Sequence, residues 1–304
     1  MPTIRHRFFY TFFCYGYVIL LATGLWGLQA TSARAEDSTE TFRSLQDRLT
    51  ESGFNANKIQ SLFQKSSVHF EPRTVSLFFI HSEARVNYDQ FLSPESIQNA
   101  RDYMQKHIAD MNAAEQSLGV CKEVITAIML VETRLGTYLG NTSILNTLSS
   151  LAALKDPELR KVVWDTIRPE RRPEKAAFEE RAESKSAWAF QELKAFLTYT
   201  ARENLDPTSI YGSFAGALGI SQFMPSNILM YAKDGNHDGR IDLFDPSDAI
   251  MSIANYLKHF GWKPGISHEQ AYDVVYHYNH SQYYVNTVLK IMDILKGQNG
   301  PSHN

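Results

Sequence analysis

The chain of 304 residues carries 30 basic and 33 acidic side chains, a formal net charge of −3, with 43% hydrophobic residues. That length can bury one large core or two modest ones. The acidic balance is the reverse of a nucleic-acid binder's, so no nucleic-acid partner is expected.

Arg5 and Arg7 precede a mostly apolar stretch from Phe8 to about Ala30, followed by Ala33-Arg34-Ala35 and the acidic Glu36-Asp37. This is the order of a secretory signal with an A-x-A cleavage site, which predicts cleavage after Ala35 and a periplasmic destination. The alternative is an uncleaved anchor, because the apolar run approaches spanning length. Cys14 lies among Phe12, Phe13 and Tyr15, without the small residues of a lipoprotein signal, so no lipid anchor is expected, and cleavage of the signal would leave no stable membrane insertion. Loss of residues 1–35 removes three basic residues (Arg5, Arg7, Arg34), leaving 27 basic against 33 acidic and a net charge near −6. It also leaves Cys121 as the single cysteine, so no intramolecular disulfide forms.

Apolar residues recur with helical period through most of the remainder, which predicts a mainly α fold. Residues 36–84 read as an N-terminal helical segment. From Ser93-Pro94 the stripe Ile97, Met104, Ile108 and Met111 predicts one helix ending near Gly119. A second helix runs from about Lys122 to Gly136 with Val124, Ile125, Ile128 and Leu135 inward. Glu132 lies four residues beyond Ile128 and seven beyond Ile125, so its carboxyl projects from the apolar stripe. Residues 155–185 turn charged and Pro-containing, which reads as a solvated surface insertion before a helix from Ala187 to about Arg202. Asp245 is placed to cap a helix from Pro246 to Phe260 that Gly261 ends. A last helix, from Ser281 to about Lys296, turns Val285, Val288, Leu289, Met292 and Leu295 inward, and 297–304 is a frayed tail.

Three segments carry chemistry. A carboxyl group held among apolar side chains has its pKa raised, stays protonated near neutral pH, and can give its proton to a leaving glycosidic oxygen; Glu132 is such a candidate. The plainer reading pairs it with Arg134 or Lys122. Gly212-Ser213-Phe214-Ala215-Gly216-Ala217-Leu218-Gly219 offers glycines that let backbone approach a ligand, with Ser213 and Gln222 as hydrogen-bonding groups for sugar hydroxyl or acetamido groups. The same small residues also suit a tight packing contact. Asp234, Asn236, Asp238, Gly239, the Arg240 carbonyl and Asp245 fall on positions 1, 3, 5, 6, 7 and 12 of an EF-hand-like loop at 234–245, a hard-oxygen set suited to Ca²⁺. Aspartate at position 12 is the departure. His277 and His280 form an H-x-x-H that lacks the accompanying zinc ligands and reads as structural. Tyr272, Tyr276, Tyr278, Tyr283 and Tyr284 form an aromatic cluster that is either core or the lining of a sugar groove.

Val131-Glu132-Thr133-Arg134-Leu135-Gly136, the 212–217 glycine segment with Gln222-Phe223-Met224-Pro225-Ser226, Asp242 to Pro246, Ala254-Asn255-Tyr256 and Tyr278-Asn279-His280-Ser281 occur in one order that resembles the lytic murein transglycosylase B family. Weaker similarity begins near Asn87 to Phe91, so the match covers about residues 85–296. The resemblance implies a lysozyme-like catalytic domain acting on peptidoglycan glycan strands, with Glu132 as sole acid/base. It further implies substrate-orienting roles for Ser213, Gln222 and a late tyrosine at Tyr278, an early tyrosine at Tyr88, and a structural Ca²⁺ in the 234–245 loop without an organic cofactor. The implied reaction closes a 1,6-anhydro ring on N-acetylmuramic acid. A hydrolytic muramidase and a non-catalytic wall-binding scaffold are the alternatives.

Overall fold

A computed structural model describes residues 38–80 and 87–297. The expected signal at 1–35, with Cys14, and the tail from 298 onward lie outside the described residues. The N-terminal segment forms α1 (Ser38–Thr41), α2 (Arg43–Glu51), α3 (Ala56–Phe63) and α4 (Pro72–Ile80). A 3₁₀ turn, Tyr88–Leu92, leads to α5 (Pro94–Lys106), α6 (Ile108–Leu118) and α7 (Lys122–Thr133). The two-residue strands β1 (Thr142–Ser143) and β2 (Tyr211–Gly212) pair antiparallel, and between them run α8 (Ile144–Ala152), α9 (Pro157–Thr166) and α10 (Lys175–Arg202). The chain closes with α11 (Pro225–Tyr231), α12 (Pro246–His259), α13 (His268–Tyr278) and α14 (Gln282–Leu295).

Helix starts follow local chemistry. Ser93, Ser143, Asp156, Asp245, Ser267 and Ser281 each accept a backbone N–H of the first turn, and Pro94, Pro157 and Pro246 occupy the first helical position, where the missing N–H is not needed. The single helix expected over 94–119 is two: α5 ends at His107 (φ −105°, ψ 28°), and α6 begins beyond it. The break turns Ile97 and Ala100 of α5 and Met111 and Ala114 of α6 toward the core from two directions.

α7 is the inner helix, buried from Val124 to Thr133, with α5, α6, α12 and α14 packed around it. α8 packs along α10, whose 28 residues span about 42 Å. One contiguous hydrophobic cluster reaches from Phe42 to Met292, so the N-terminal helices share the core of the rest.

The charged stretch at 155–185 is not a solvated insertion. It folds as α9 and the first turns of α10, burying Val163, Ile167, Phe178 and Ala182. Phe178 stands between Phe79 of α4 (ring centroids 4.6 Å) and Trp164 of α9 (5.1 Å). The charges sit on the outside of this contact: Arg160 pairs with Glu179 at 2.8 Å, and Arg181 donates to the Phe78 carbonyl at 2.8 Å, closing an open end of α4. The high density of Lys, Arg and Glu hid one apolar residue per turn. Phe178→Ala is expected to lower unfolding free energy by about 3–5 kcal/mol in chemical denaturation; a loss below about 1 kcal/mol would restore the surface-insertion reading.

Candidate active site

Glu132 occupies the last turn of α7 and is 8% exposed. The helix stops there because Arg134, Leu135 and Gly136 all take positive φ (50°, 62° and 83°), and the amides of Arg134 and Leu135 turn back onto the carbonyls of Leu130 and Met129. Thr133 ties this end to the neighbouring loop: its hydroxyl donates to the Ile220 carbonyl at 3.1 Å and accepts from the Gly136 amide at 2.9 Å. A side chain on Gly136 would meet Ile220 at 3.4 Å, so the two segments are in contact.

The Tyr284 hydroxyl donates to Glu132 Oε1 at 2.6 Å. Tyr284 is 2% exposed and sits in the first turn of α14, above the Ser281 cap. The salt-bridge alternatives for Glu132 are not what the structure builds: Arg134 donates to Gln90 Oε1 at 2.6 Å, and Lys122 pairs with Glu115 at 3.1 Å. The first of these contacts brings the Tyr88–Leu92 turn beside the end of α7. Tyr88 itself is half-buried there, with its ring 6.3 Å from Phe91.

The 212–224 segment folds on itself. Ser213 N–H donates to the Ala217 carbonyl, Ser213 Oγ accepts from the Ala217 amide at 3.1 Å, and Leu218 and Phe223 exchange backbone hydrogen bonds. A Cβ on Gly212 would fall 2.1 Å from the Ala217 carbonyl oxygen, and one on Gly219 2.5 Å from Leu243 Cβ. These glycines therefore serve close packing of the protein's own backbone. Gln222, at φ 49° and buried, directs its amide nitrogen to the carbonyls of Gly219 (2.9 Å) and Leu139 (3.4 Å). Tyr278 lies in a second layer: its hydroxyl donates to the Ser221 carbonyl at 2.6 Å, and its ring stacks on Tyr284 at 6.4 Å and 7°.

In the 234–245 loop, Asp234 accepts from the amides of Asp238 and Gly239, Asn236 from Asp238, and Asp238 from Arg240, all between 2.9 and 3.2 Å. These hard-oxygen donors suit Ca²⁺ over the first seven positions. Asp245, at position 12, is turned onto the amides of Ser247 and Asp248 as the cap of α12, and among the described residues no three acidic, histidine or cysteine side chains close on one point. Sequence reasoning passed over Asp248, which is 1% exposed and accepts from the amides of Gly235 and Asp242, spanning the loop. The loop touches the site directly: the Ile220 amide donates to the Leu243 carbonyl at 2.8 Å.

The structure thus places a buried carboxyl, held by a tyrosine, at the end of a core helix beside a folded glycine loop. The chain matches the transglycosylase SLT domain over residues 37–271. It belongs to that family. Membrane-bound lytic murein transglycosylase B of Escherichia coli is 38% identical over 176 residues, covering 58% of this chain and 41% of that protein. The chain thus aligns with less than half the length of this relative. Soluble lytic transglycosylase SltB1 from Pseudomonas aeruginosa superposes with a TM-score of 0.67 at 24% identity, covering 85% of this chain and 99% of the other. An Escherichia coli lytic transglycosylase in complex with calcium gives 0.65 at 24% identity (88% and 94% covered). SltB3 from Pseudomonas aeruginosa in complex with NAG-anhNAM-pentapeptide gives 0.68 at 19% identity (88% and 84%). The mainly α, lysozyme-like fold expected from the sequence is the fold of these transglycosylases.

Within this family framework, the structure brings Glu132, Ser213, Gln222 and Tyr88 to adjoining segments and puts Tyr278 one layer back. Tyr284, six residues after Tyr278, is the tyrosine that touches Glu132. Its place on the inward stripe with Val285 and Val288 was the available signal, because a buried phenol requires a partner.

Glu192 of α10 accepts from Ser226 N–H (2.9 Å) and Oγ (2.8 Å), holding the end of the glutamine segment. Burial pushes its carboxyl above the ordinary range, against the pull of the Ser226 hydrogen bonds. With the folded pKa above the unfolded one, the stability linked to this proton is present at acid pH and lost as pH rises through the folded pKa. Glu192→Gln should therefore gain stability relative to the parent from about pH 4 upward. Thermal unfolding across that range checks this; a pH-independent difference would contradict it.

Proposed function

We propose that the chain is a peptidoglycan lytic transglycosylase, which cleaves the β-1,4 bond between N-acetylmuramic acid and N-acetylglucosamine and leaves 1,6-anhydro-N-acetylmuramic acid ends. The observation that carries this reading is Glu132, a buried carboxyl at the end of α7 with one oxygen fixed by Tyr284. Among the described residues the other buried carboxylates are bonded elsewhere: Glu192 to Ser226, Glu203 to the Ile241 amide, Asp248 to the 234–245 loop, and Asp293 to His268. A single acid/base suits a reaction whose nucleophile is within the substrate.

Glu132 gives its proton to the glycosidic oxygen as the bond from the muramyl anomeric carbon breaks, and the acetamido oxygen stabilises the positive carbon. The resulting carboxylate takes the proton of the sugar's own 6-hydroxyl as O6 bonds to the anomeric carbon. Glu132 ends protonated and no water is consumed. Tyr284 holds Oε1 and so fixes the orientation of the carboxyl that carries the moving proton. Ser213 keeps an O–H to donate after accepting from Ala217 and serves to orient substrate together with Gln222 and Tyr88, while Tyr278 supports them from behind through the Ser221 carbonyl and the Tyr284 ring. Positioned acid/base assistance of this kind contributes about 3–5 kcal/mol. The apolar run and A-x-A site at residues 1–35 support export to the periplasm, where the glycan strands are. Among the described residues no helix is long and apolar enough to cross a membrane.

Glu132→Gln keeps the shape of the side chain and should melt with the parent while losing at least about a hundredfold in release of soluble fragments from purified peptidoglycan. Retained turnover would overturn the assignment. Ca²⁺ would be held by Asp234, Asn236, Asp238 and the Arg240 carbonyl as a brace for the loop beneath the site, and Asp245, at loop position 12, would be a weak ligand at most. Binding is expected in the roughly 0.1–1 mM range. Saturation to one hundred times the dissociation constant adds about 2.7 kcal/mol. A melting temperature that rises with Ca²⁺, and does not for Asp234→Asn, checks the proposal; a parent melting temperature indifferent to Ca²⁺ and chelator would sink it.

A further inference from the structure

Two tyrosines on α13 form an aligned pair outside the Glu132 site: Tyr272 is half-buried with part of its side chain against the core, and Tyr276 reaches solvent. The buried face of α13 is supplied by Ala271, Val274, Val275 and Tyr278. On another face, Tyr272 and Tyr276, one turn apart, lie nearly parallel with ring centroids 6.2 Å apart and an angle of 12°. Tyr276 then meets His280 edge-on at 4.9 Å. Tyr276 is 36% exposed, and Tyr283, at the start of α14, is 66% exposed. The row ends at the α13–α14 turn, and Tyr283 immediately precedes Tyr284, whose hydroxyl holds Glu132.

Single exposed apolar side chains are ordinary, but Tyr272 is only partly packed against the core, Tyr276 and Tyr283 are exposed, and all three have poorer helix propensity than alanine. Aromatic rings with a polar tip offer a flat apolar face to the axial C–H groups of a pyranose and a hydroxyl to its substituents. A glycan strand is also far longer than a single catalytic site, so binding of its remote sugars can hold the reacting bond in place. We infer that Tyr272 and Tyr276, continued by His280 and Tyr283, form a stacking platform for a distal stretch of the same β-1,4-linked amino-sugar strand whose cleavage is assigned to Glu132. The α13–α14 turn joins the platform along the chain to Tyr284, the partner of Glu132. The inference relies on the transglycosylase reading for the identity of the polymer.

The test uses the full mature chain and glycan strands of defined length freed of peptide, with co-sedimentation on purified peptidoglycan as the binding readout. Tyr276→Leu keeps an apolar side chain but removes the ring; it should weaken retention on peptidoglycan by about three- to tenfold and raise KM for long strands by a similar factor. The value of kcat, and turnover of the shortest cleavable fragments, should stay at the parent level, and Tyr276→Phe should restore binding. Leucine equal to the parent on long strands, or phenylalanine as weak as leucine, would overturn the platform. A parent that turns over strands with no effect of Tyr276→Leu refutes the platform alone. A parent whose retention depends on the Tyr276 ring but which forms no anhydro ends refutes the transglycosylase reading and leaves the platform standing.

Discussion

The end of α7 is held open by three successive residues of positive φ, and the rest of the site is arranged around that stop. A non-glycine residue in the left-handed region costs of order 1–3 kcal/mol, and Arg134 and Leu135 both sit there. The conformation persists because its surroundings leave no alternative. Thr133 is tied to Ile220 on one side, Arg134 reaches Gln90 on another, and Ile220 fills the space over Gly136. The result is that Glu132 emerges from a fully packed helix at the point where the helical backbone turns away. A carboxyl in mid-helix would be covered by the next turn, and one in a loop would not be fixed.

The same constraint links parts of the chain that lie far apart in sequence. Ile220 receives the Thr133 hydroxyl at its carbonyl and gives its own amide to Leu243, so the Asp- and Gly-rich loop at 234–245 stands directly behind the wedge that shapes the end of α7. Asp248 spans that loop from below, and the Tyr199 hydroxyl of α10 donates to the Ile241 carbonyl at its other side. A cation in the loop would thus act on the position of Glu132 through two backbone segments, without entering the chemistry. On the opposite side, α14 supplies Tyr284, and the long α14–α7 contact sets the distance between phenol and carboxyl.

Much of this was legible in the sequence where a local rule decides it. Caps such as Ser93, Asp245 and Ser281, with proline following the first two, marked helix starts to within a residue, and the apolar stripe on α7 placed Glu132 on the buried side. Three features were not legible. The break at His107 depends on two helices packing from different directions, and the periodicity of Ile97, Met104, Ile108 and Met111 runs straight through it. The burial of Phe178 is a tertiary contact with α4, invisible in a segment dominated by charge. That the Tyr284 hydroxyl meets Glu132 depends on the angle between α13 and α14, which no spacing encodes. The glycines at 212 and 219 were visible as a motif, but only the structure shows that they make room for the Ala217 carbonyl and Leu243 rather than for a ligand.

In the proposed reaction Glu132 regains its proton from the substrate's own 6-hydroxyl. Mass spectrometry of fragments released from purified peptidoglycan by residues 36–304, before any further digestion, tests it most directly. Muropeptides lighter by one water than their hydrolysed counterparts, with no reducing muramic acid ends, are the expected products. Ordinary reducing ends would contradict that reaction and make the protein a hydrolase on the same fold.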